Sequence, residues 1–467
     1  MNLFLGQLNQ LWGEPTNSED INLNNPLGAV CTDTRKLKEG DFFIPLIGEN
    51  YNGHAFLNDA YEKGAQAAVV SLTSEFKVPS ELVHWKVADT LHSYQQLGLL
   101  NRQLLNIPVV AITGSVGKTT TREMIRSALS SLGEILSTKD NNNNDIGVPK
   151  TLLLGRSHHA AAVIEMGMRG PGEIQRLSCC THPDIAVITN IGNAHIGRLG
   201  SRSEIAKAKC EITQCLNPKG VVIIPAYDPL LEETLRKYWS GRIVRIALID
   251  GSAKSTYLVS ESIRNSSLTP DLVGTLDGIK RNSLVVDNKA FRLPLEGAHN
   301  AINFLLTLAV ARELNVSRKS LESISVPSLT GRNRRVKLGN INVFDETYNS
   351  SPESVKASLD LLIREPGRHF AVLGTMYELG EHSLYFHRHI AEYCSELRLD
   401  GLVIVSEGRN GEEMYKAARE IQNVEIVSKS EDAINILKYW LKKDDNLLLK
   451  GSRKVFLERL LPLLKKI

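Results

Sequence analysis

One short segment constrains the fold of this chain more than any other. Val109–Thr113 is an apolar β-type run, Gly114-Ser115-Val116-Gly117 is a glycine-containing turn, and a helix follows from Lys118. In that helix Met124, Ile125, Ala128, Leu129 and Leu132 keep helical spacing. A strand that turns so tightly into a helix opens a β-α unit. Such units lay their strands in parallel and cover the sheet with helices. The alternation recurs, with β runs at 161–166, 185–190, 221–225 and 243–249 and helical stretches between most of them. Residues 256–294 carry short strands and turn residues and read as an antiparallel appendage; a helix at 300–313 and the loop around Pro327 close the block. Beyond it, strands at 343–348, 370–375, 402–406, 425–428 and 447–450 alternate with helices at 352–364, 387–397, 411–421, 431–443 and 455–465, the pattern of a second doubly wound domain. Near the N-terminus, β-type runs at 41–46 and 67–71 flank a helical stretch at 55–63, and a helix at 90–105 leads to Pro108. The expected fold is therefore α/β in three domains: a small mixed α/β domain (1–100), a central P-loop parallel-sheet domain (101–328) and a C-terminal Rossmann-like domain (329–467).

Composition agrees. At about 150 residues per domain, 467 residues suggest three. Hydrophobic residues at 42% and charged residues at 23% exclude disorder, collagen and coiled coil. No apolar run reaches the length of a membrane span, so no integral membrane contact is expected. The opening MNLFLGQLNQLWGEP lacks a basic region and a cleavage site, so no secretory signal is expected. Lys plus Arg number 55 against 52 Asp plus Glu, a net charge of +3, which argues against a nucleic-acid partner. Anionic ligands must then be held by local groups. The six cysteines form no CxxC pair, and reduced cytoplasmic thiols are expected, with adjacent Cys179 and Cys180 poorly placed for a disulfide.

Seven clusters carry chemistry. In Thr113–Thr120 the glycines let backbone N–H groups close around phosphate oxygens at a helix N-terminus; Lys118 is placed for the β- and γ-phosphates and Thr119 for Mg²⁺. The loop is shorter than the common P-loop, since Gly114 lies three residues before Gly117. Glu165 at a strand end, His195 in a loop after a strand and Lys209 in a helix fall on the edge where such sheets bind ligands; a carboxylate and an imidazole beside a triphosphate can hold a divalent ion. The amide-rich run 140–149 is either turn chemistry or a polar substrate loop. Asn300 either caps its helix or reads a purine edge. Arg332, in a basic run, is either a solvated charge or a phosphate clamp. Asp345-Glu-Thr-Tyr348-Asn349 and Lys450-Gly451-Ser452-Arg453 both lie at strand C-termini on the ligand edge.

In this order the residues resemble the Mur ligase family of ATP-dependent amide-bond ligases, over essentially the whole chain. Asp33-Thr34-Arg35 through Phe43 resembles a uridine-nucleotide-binding domain of that family, with Thr34 where serine is usual. Asn141 to Pro149, Asp345 to Asn349, Gly374 to Gly380 and Lys450 to Arg453 resemble the family member that adds a dipeptide. Gly167-Met168-Arg169-Gly170 departs from the Gly-Ala-Asn-His of many relatives, and Asp140 stands where they have glycine. The resemblance implies that UDP-MurNAc-tripeptide and D-alanyl-D-alanine are joined through an acyl phosphate in peptidoglycan precursor synthesis, by a cytoplasmic monomer.

It also implies roles. Lys118, Lys209, His195 and Arg332 would be catalytic. ATP would meet Gly114, Ser115, Val116, Gly117, Lys118, Thr119, Thr120, Asn300, Arg332, Asp345, Tyr348 and Asn349. Two Mg²⁺ ions would be held by Thr119, Glu165, His195 and Lys209, the last as a carbamate. Thr34, Arg35, Asn141, Asn143, Asn144, Lys450, Ser452 and Arg453 would bind substrates. Arg332 and Asp345 would sit where the last domain swings to close the ATP site. Rivals are a family member that adds a single amino acid, a folate ligase without the uridine domain, a P-loop kinase and a non-catalytic binding module.

Overall fold

The computed structural model describes residues 3–17, 22–226, 228–250, 269–276, 282–327 and 330–465. Three sheets organise them. The N-terminal sheet runs β1 (Val30–Cys31), β2 (Phe42–Phe43), β3 (Ala67–Ser71), β4 (His84–Val87), all parallel. Leu3, Leu8, Phe42, Val69 and Trp85 pack its core, which the Thr90–Leu105 helix joins through Tyr94 and Leu97.

The central sheet has nine strands: β5 (Val109–Thr113), β6 (Glu134–Ser137), β7 (His159–Glu165), β8 (Ile185–Ile188), β9 (Val221–Pro225), β10 (Arg242–Asp250), β11 (Leu272–Leu276), β12 (Ser283–Val286) and β13 (Lys289–Arg292). Their spatial order is β13-β12-β11-β10-β9-β8-β5-β7-β6. β5 thus lies between β7 and β8, where the winding reverses and a crevice opens beyond the strand C-termini. The strands from β6 to β11 pair in parallel, while β12 and β13 turn back antiparallel. The expected appendage is therefore an extension of the same sheet; 251–268 and 277–281 lie outside the described residues. The Lys118–Leu129 helix buries Met124, Ile125, Ala128 and Leu129 against β5, β7 and the Ala298–Glu313 helix. At roughly 1.5–3 kcal/mol for each large apolar side chain, that face holds the start of the helix firmly at the crevice.

The C-terminal sheet contains β14 (Arg334–Leu338), β15 (Ile341–Glu346), β16 (His369–Gly374), β17 (Gly401–Val405), β18 (Val424–Val427) and β19 (Asn446–Lys450), ordered β14-β15-β19-β16-β17-β18. Only β14 is antiparallel. Insertion of the last strand between β15 and β16 brings Glu346, Lys450 and Gly374 to one edge. The boundary expected at 328/329 lies outside the described residues.

Two expectations are corrected. The helix expected at 455–465 is a pair of 3₁₀ turns, Arg453–Val455 and Leu457–Arg459, before a short helix, Leu460–Leu464; Phe456 takes a left-handed backbone (φ 56°) that breaks the run. Cys179 and Cys215 are joined as a disulfide rather than reduced. The Glu173–Thr181 helix packs on the segment after the Arg202–Cys210 helix, with Ser178 Oγ donating to Ile212 O at 2.7 Å and accepting from Cys215 N at 3.2 Å. That packing brings residues 36 apart in sequence to a Cα–Cα distance of 4.8 Å. Cys31, Cys180, Cys210 and Cys394 are free thiols.

Candidate active site

The crevice beyond β5 faces the C-terminal edge of β15 and β19 across a cavity of about 2180 Å³. Its floor is the turn after β5. Gly117 has φ 84°, and a Cβ there would meet Asn303 Oδ1 at 2.8 Å, so both backbone and space call for glycine. The turn is clamped from β8: Asn190 accepts from Val116 N at 3.1 Å and donates to Val116 O at 2.9 Å, while Ser115 Oγ accepts from Gly192 N at 2.9 Å. Lys118 Nζ donates to Gly114 O at 2.8 Å and Ser115 O at 3.3 Å. Burial lowers the Lys118 pKa, Glu165 works against that shift, and the charge of Arg332 adds to it.

Glu165 closes β7 and is buried, with three donors on its carboxylate. Thr119 Oγ1 reaches Oε1 at 3.3 Å, Asn143 Nδ2 reaches Oε1 at 2.8 Å, and Arg122 Nη1 reaches Oε2 at 3.1 Å. Lys209 is 1% exposed, and burial followed by the charge of Lys118 pushes its pKa well below the ordinary lysine value. His195 stands at the N-terminus of the short Ile196–Leu199 helix with φ 68°. Its Nδ1 lies 2.5 Å from Glu378 Oε2, on the C-terminal domain. Two more contacts cross that seam: Gly197 N donates to Glu378 O at 3.0 Å, and Asn193 donates from N (2.8 Å) and Nδ2 (2.6 Å) to Glu353 Oε1.

The C-terminal domain adds cations. The Arg332 guanidinium lies 3.9 Å from the centre of the Tyr348 ring. Lys450, 3% exposed, is 3.6 Å from Glu346 Oε2, and its pKa is lowered by burial, with Arg332 adding to the effect. Lys118, Arg332 and Lys450 therefore bring like charge from both domains into one cavity.

Most residues expected from the sequence meet here. Ser115, Val116, Gly117, Lys118, Thr119, Thr120, Glu165, His195, Lys209 and Asn300 line the cavity from the central domain. Asn141, Asn143 and Asn144 line it from the amide-rich loop, and Arg332, Tyr348, Asn349, Lys450, Ser452 and Arg453 from the C-terminal domain. Asn300 also closes its own helix, its Nδ2 donating to Glu296 O at 2.7 Å.

Four expected residues lie elsewhere. Gly114 is not in the lining; a Cβ there would meet Thr189 Oγ1 at 1.9 Å. Asp345 is fully buried outside the lining, accepting from Thr347 Oγ1 at 2.7 Å and Gly331 N at 3.3 Å. Thr34 donates to Asp59 at 3.1 Å, and exposed Arg35 pairs with Asp33 at 2.8 Å; neither reaches the cavity. Conversely, Arg122, Asn190, Glu353 and Glu378 carry the geometry without being singled out in the sequence. Arg122 had a signal, since it lies one helical turn after Lys118 and so on the same face.

Comparison with known proteins accounts for this arrangement. The Mur ligase middle domain matches residues 112–311, and the Mur ligase glutamate ligase domain matches 331–453. A UDP-N-acetylmuramoyl-tripeptide–D-alanyl-D-alanine ligase of Synechocystis sp. is 39% identical over 441 residues, 94% of this chain and 91% of the relative. The chain belongs to the Mur ligase family. The ligase of the same name from Bacillus subtilis is 34% identical, covering 92% of each chain. Among solved structures, MurF from Acinetobacter baumannii superposes with a TM-score of 0.85 at 30% identity over 99% of both chains. MurF from Thermotoga maritima, in complex with ADP, gives 0.78 at 26% identity, over 94% of this chain and 97% of that one. As a Mur ligase the chain has the family's α/β build, here on three sheets, and among its described residues no helix is long and apolar enough to cross a membrane.

Proposed function

We infer that the chain is an ATP-dependent ligase joining D-alanyl-D-alanine to UDP-N-acetylmuramoyl-tripeptide, in peptidoglycan precursor synthesis. The observation that carries this reading is the cavity itself. A phosphate loop, a buried carboxylate and three convergent cations meet there in a chain alike from end to end to ligases of that name. In this reaction the tripeptide carboxylate attacks the γ-phosphate, giving an acyl phosphate and ADP. The dipeptide amine then attacks the acyl carbon and expels phosphate. Both steps gather anions, so placed positive charge matters more than a protein nucleophile.

Each part has a task. The turn after β5 cradles the phosphates through Ser115 to Thr120, with Gly114 packed behind it against Thr189; Lys118 spans the β- and γ-groups, and Arg332 meets the transferring phosphoryl from the other domain. Asn300, Tyr348 and Asn349 flank the nucleoside, and Asp345 supports that wall from behind through Gly331 and Thr347. Asn141, Asn143 and Asn144 receive the peptide of the nucleotide substrate; Lys450, Ser452 and Arg453 receive the dipeptide. Thr34 and Arg35 belong to the domain proposed to bind the uridine end. The proposed domains are 1–100, 101–328 and 329–467, and the last closes on the ATP site through His195–Glu378 and Asn193–Glu353.

The donor set fits Mg²⁺. The Thr119 hydroxyl and a Glu165 oxygen lie 3.3 Å apart on the wall, the hard donors this ion takes, and Glu165, His195 and Lys209 would hold a second ion. Bound there, Mg²⁺ would offset charge on the phosphoryl oxygens. Lys209 fits a carbamate: its burial favours the neutral amine, which adds CO₂ and releases a proton to become an anion. Cytoplasmic location and a monomeric state complete the proposal.

The deciding assay is ATP-dependent phosphate release with UDP-MurNAc-tripeptide, comparing D-alanyl-D-alanine with single amino acids. Release with the dipeptide is expected; release driven only by a single amino acid rejects the assignment. For the carbamate, Lys209→Ala should lose turnover and regain part of it with acetate or another short carboxylate. Full activity without added carboxylate would sink that part.

A further inference from the structure

We propose that Glu134, His158 and His159 form a binding site for a zinc-class divalent transition metal at the outer edge of the central sheet, outside the lining of the nucleotide cavity. Glu134 opens the edge strand β6, and His159 opens its neighbour β7; the two are register partners. The register shifts between Glu134 and Ile135, leaving Ala160 as an extra residue on β7. Such a bulge re-aims side chains at a sheet edge.

The donor atoms converge. His158 Nε2 lies 3.3 Å from Glu134 Oε2, and His159 Nε2 lies 3.7 Å from Glu134 Oε1. One donor from each residue falls within 4.8 Å of the others, and among the described residues no other group of three such side chains does so. Tetrahedral zinc with bonds of about 2.0–2.1 Å separates its ligand atoms by roughly 3.4 Å, so small side-chain adjustments suffice. The imidazole rings stack with centroids 4.5 Å apart, holding both on one side of the carboxylate.

The ring of His159 is held locally, at Nδ1. Its Nδ1 lies 3.0 Å from Arg156 N and 3.2 Å from Arg156 O. With Nδ1 accepting from the amide, Nε2 carries the proton toward Glu134. With Nδ1–H donating to the carbonyl, Nε2 presents a lone pair. The second arrangement is the one a metal selects, with the backbone carbonyl as the outer partner that fixes the ring. Two imidazoles and one carboxylate suit Zn²⁺, Cu²⁺ or Ni²⁺ rather than Mg²⁺ or Ca²⁺, and three protein ligands leave a position for water.

None of the three residues lines the cavity. β7 runs from His159 to Glu165, about 20 Å at the usual rise per residue. A metal here would clip the edge strand to its neighbour one strand length from Glu165, covering an edge that otherwise offers itself for pairing.

The test titrates zinc into the full chain saturated with Mg²⁺ and ADP, so that the cavity's own donors are engaged. The wild-type protein should take up one Zn²⁺ with a rise in melting temperature. His158→Ala should weaken that uptake at least about tenfold and abolish the rise. The His158 side chain is 58% exposed, so the variant should fold and keep wild-type turnover; Glu134→Gln gives a second, independent loss. Cu²⁺ in the same site should show spectroscopic coupling to two imidazole nitrogens. Equal zinc uptake by His158→Ala and wild type would place the metal elsewhere and overturn the proposal. Absence of zinc uptake by the wild-type protein would leave the cluster an ion pair and overturn it equally.

Discussion

Replacing Arg122 with methionine removes the one buried cation in contact with Glu165 among the described residues. The two side chains are each 3% exposed and meet at 3.1 Å. Breaking a buried pair by deleting one partner costs about 3–5 kcal/mol, because the charge left behind has lost its water as well as its partner. The two changes are not equivalent. Without its arginine, Glu165 keeps only the neutral donors Thr119 and Asn143 at its carboxylate, whereas in Glu165→Gln the arginine keeps Glu123 at 2.7 Å and Asp140 O at 3.1 Å. Arg122→Met should therefore be the more damaging. At about 2–4 °C per kcal/mol for a unit of this size, a loss of about 3 kcal/mol lowers its melting temperature by about 6–12 °C. The double variant should recover about 1–3 kcal/mol relative to the sum of the singles, since neither uncompensated charge remains. The measurement is calorimetric unfolding of the four proteins without nucleotide or divalent ions. Additive single effects, or an Arg122→Met protein that melts like wild type, would refute the reasoning.

Gly197→Ala would set a Cβ 2.3 Å from Gly380 N across the domain seam. Overpacking of about 1–3 kcal/mol confined to that seam should lower kcat/KM by roughly 5- to 150-fold while the melting temperature holds, and unchanged kinetics would count against closure through this contact. The His299 pKa is pushed down to about 4 by burial, then by Lys450 and Arg364. The unfolded chain binds that proton first, so stability falls as pH drops from about 6.5 toward 4, and His299→Gln should flatten the profile of melting temperature against pH in that window. Thiol titration of the denatured chain without reductant should find the four free cysteines, rising to six after reduction; six before reduction would refute the Cys179–Cys215 pairing.

Local chemistry was legible in the sequence, and partnership at a distance was not. The Thr90–Leu105 helix has the bounds expected, because Asp89 caps it through Leu91 N and His92 N and Pro108 lies just beyond. The phosphate loop likewise follows from five adjacent residue types. Asp345, near the C-terminal end of β15, shows what the method leaves out: a hydroxyl two residues along and a glycine amide bond its carboxylate, and no local pattern gives those partners. Arg35 likewise bonds Asp33, a pairing the sequence reading did not include. His195–Glu378 and Asn193–Glu353 join residues more than 150 apart in sequence, so no local pattern announces them. The disulfide belongs with these, since it depends on two helical segments packing together.

Three of the cations that line the cavity, Lys118, Arg332 and Lys450, bear on the order in which ligands arrive. Lys118 belongs to one domain and Arg332 and Lys450 to the other, and Arg332 disfavours the charge on both lysines. Two attractive contacts draw the seam together at its rim, while its middle carries like charge on both banks. A polyphosphate lying between the banks turns that mutual repulsion into attraction for a shared counter-ion. The nucleotide is then the mortar of the joint as well as its fuel, and without it the two walls push apart.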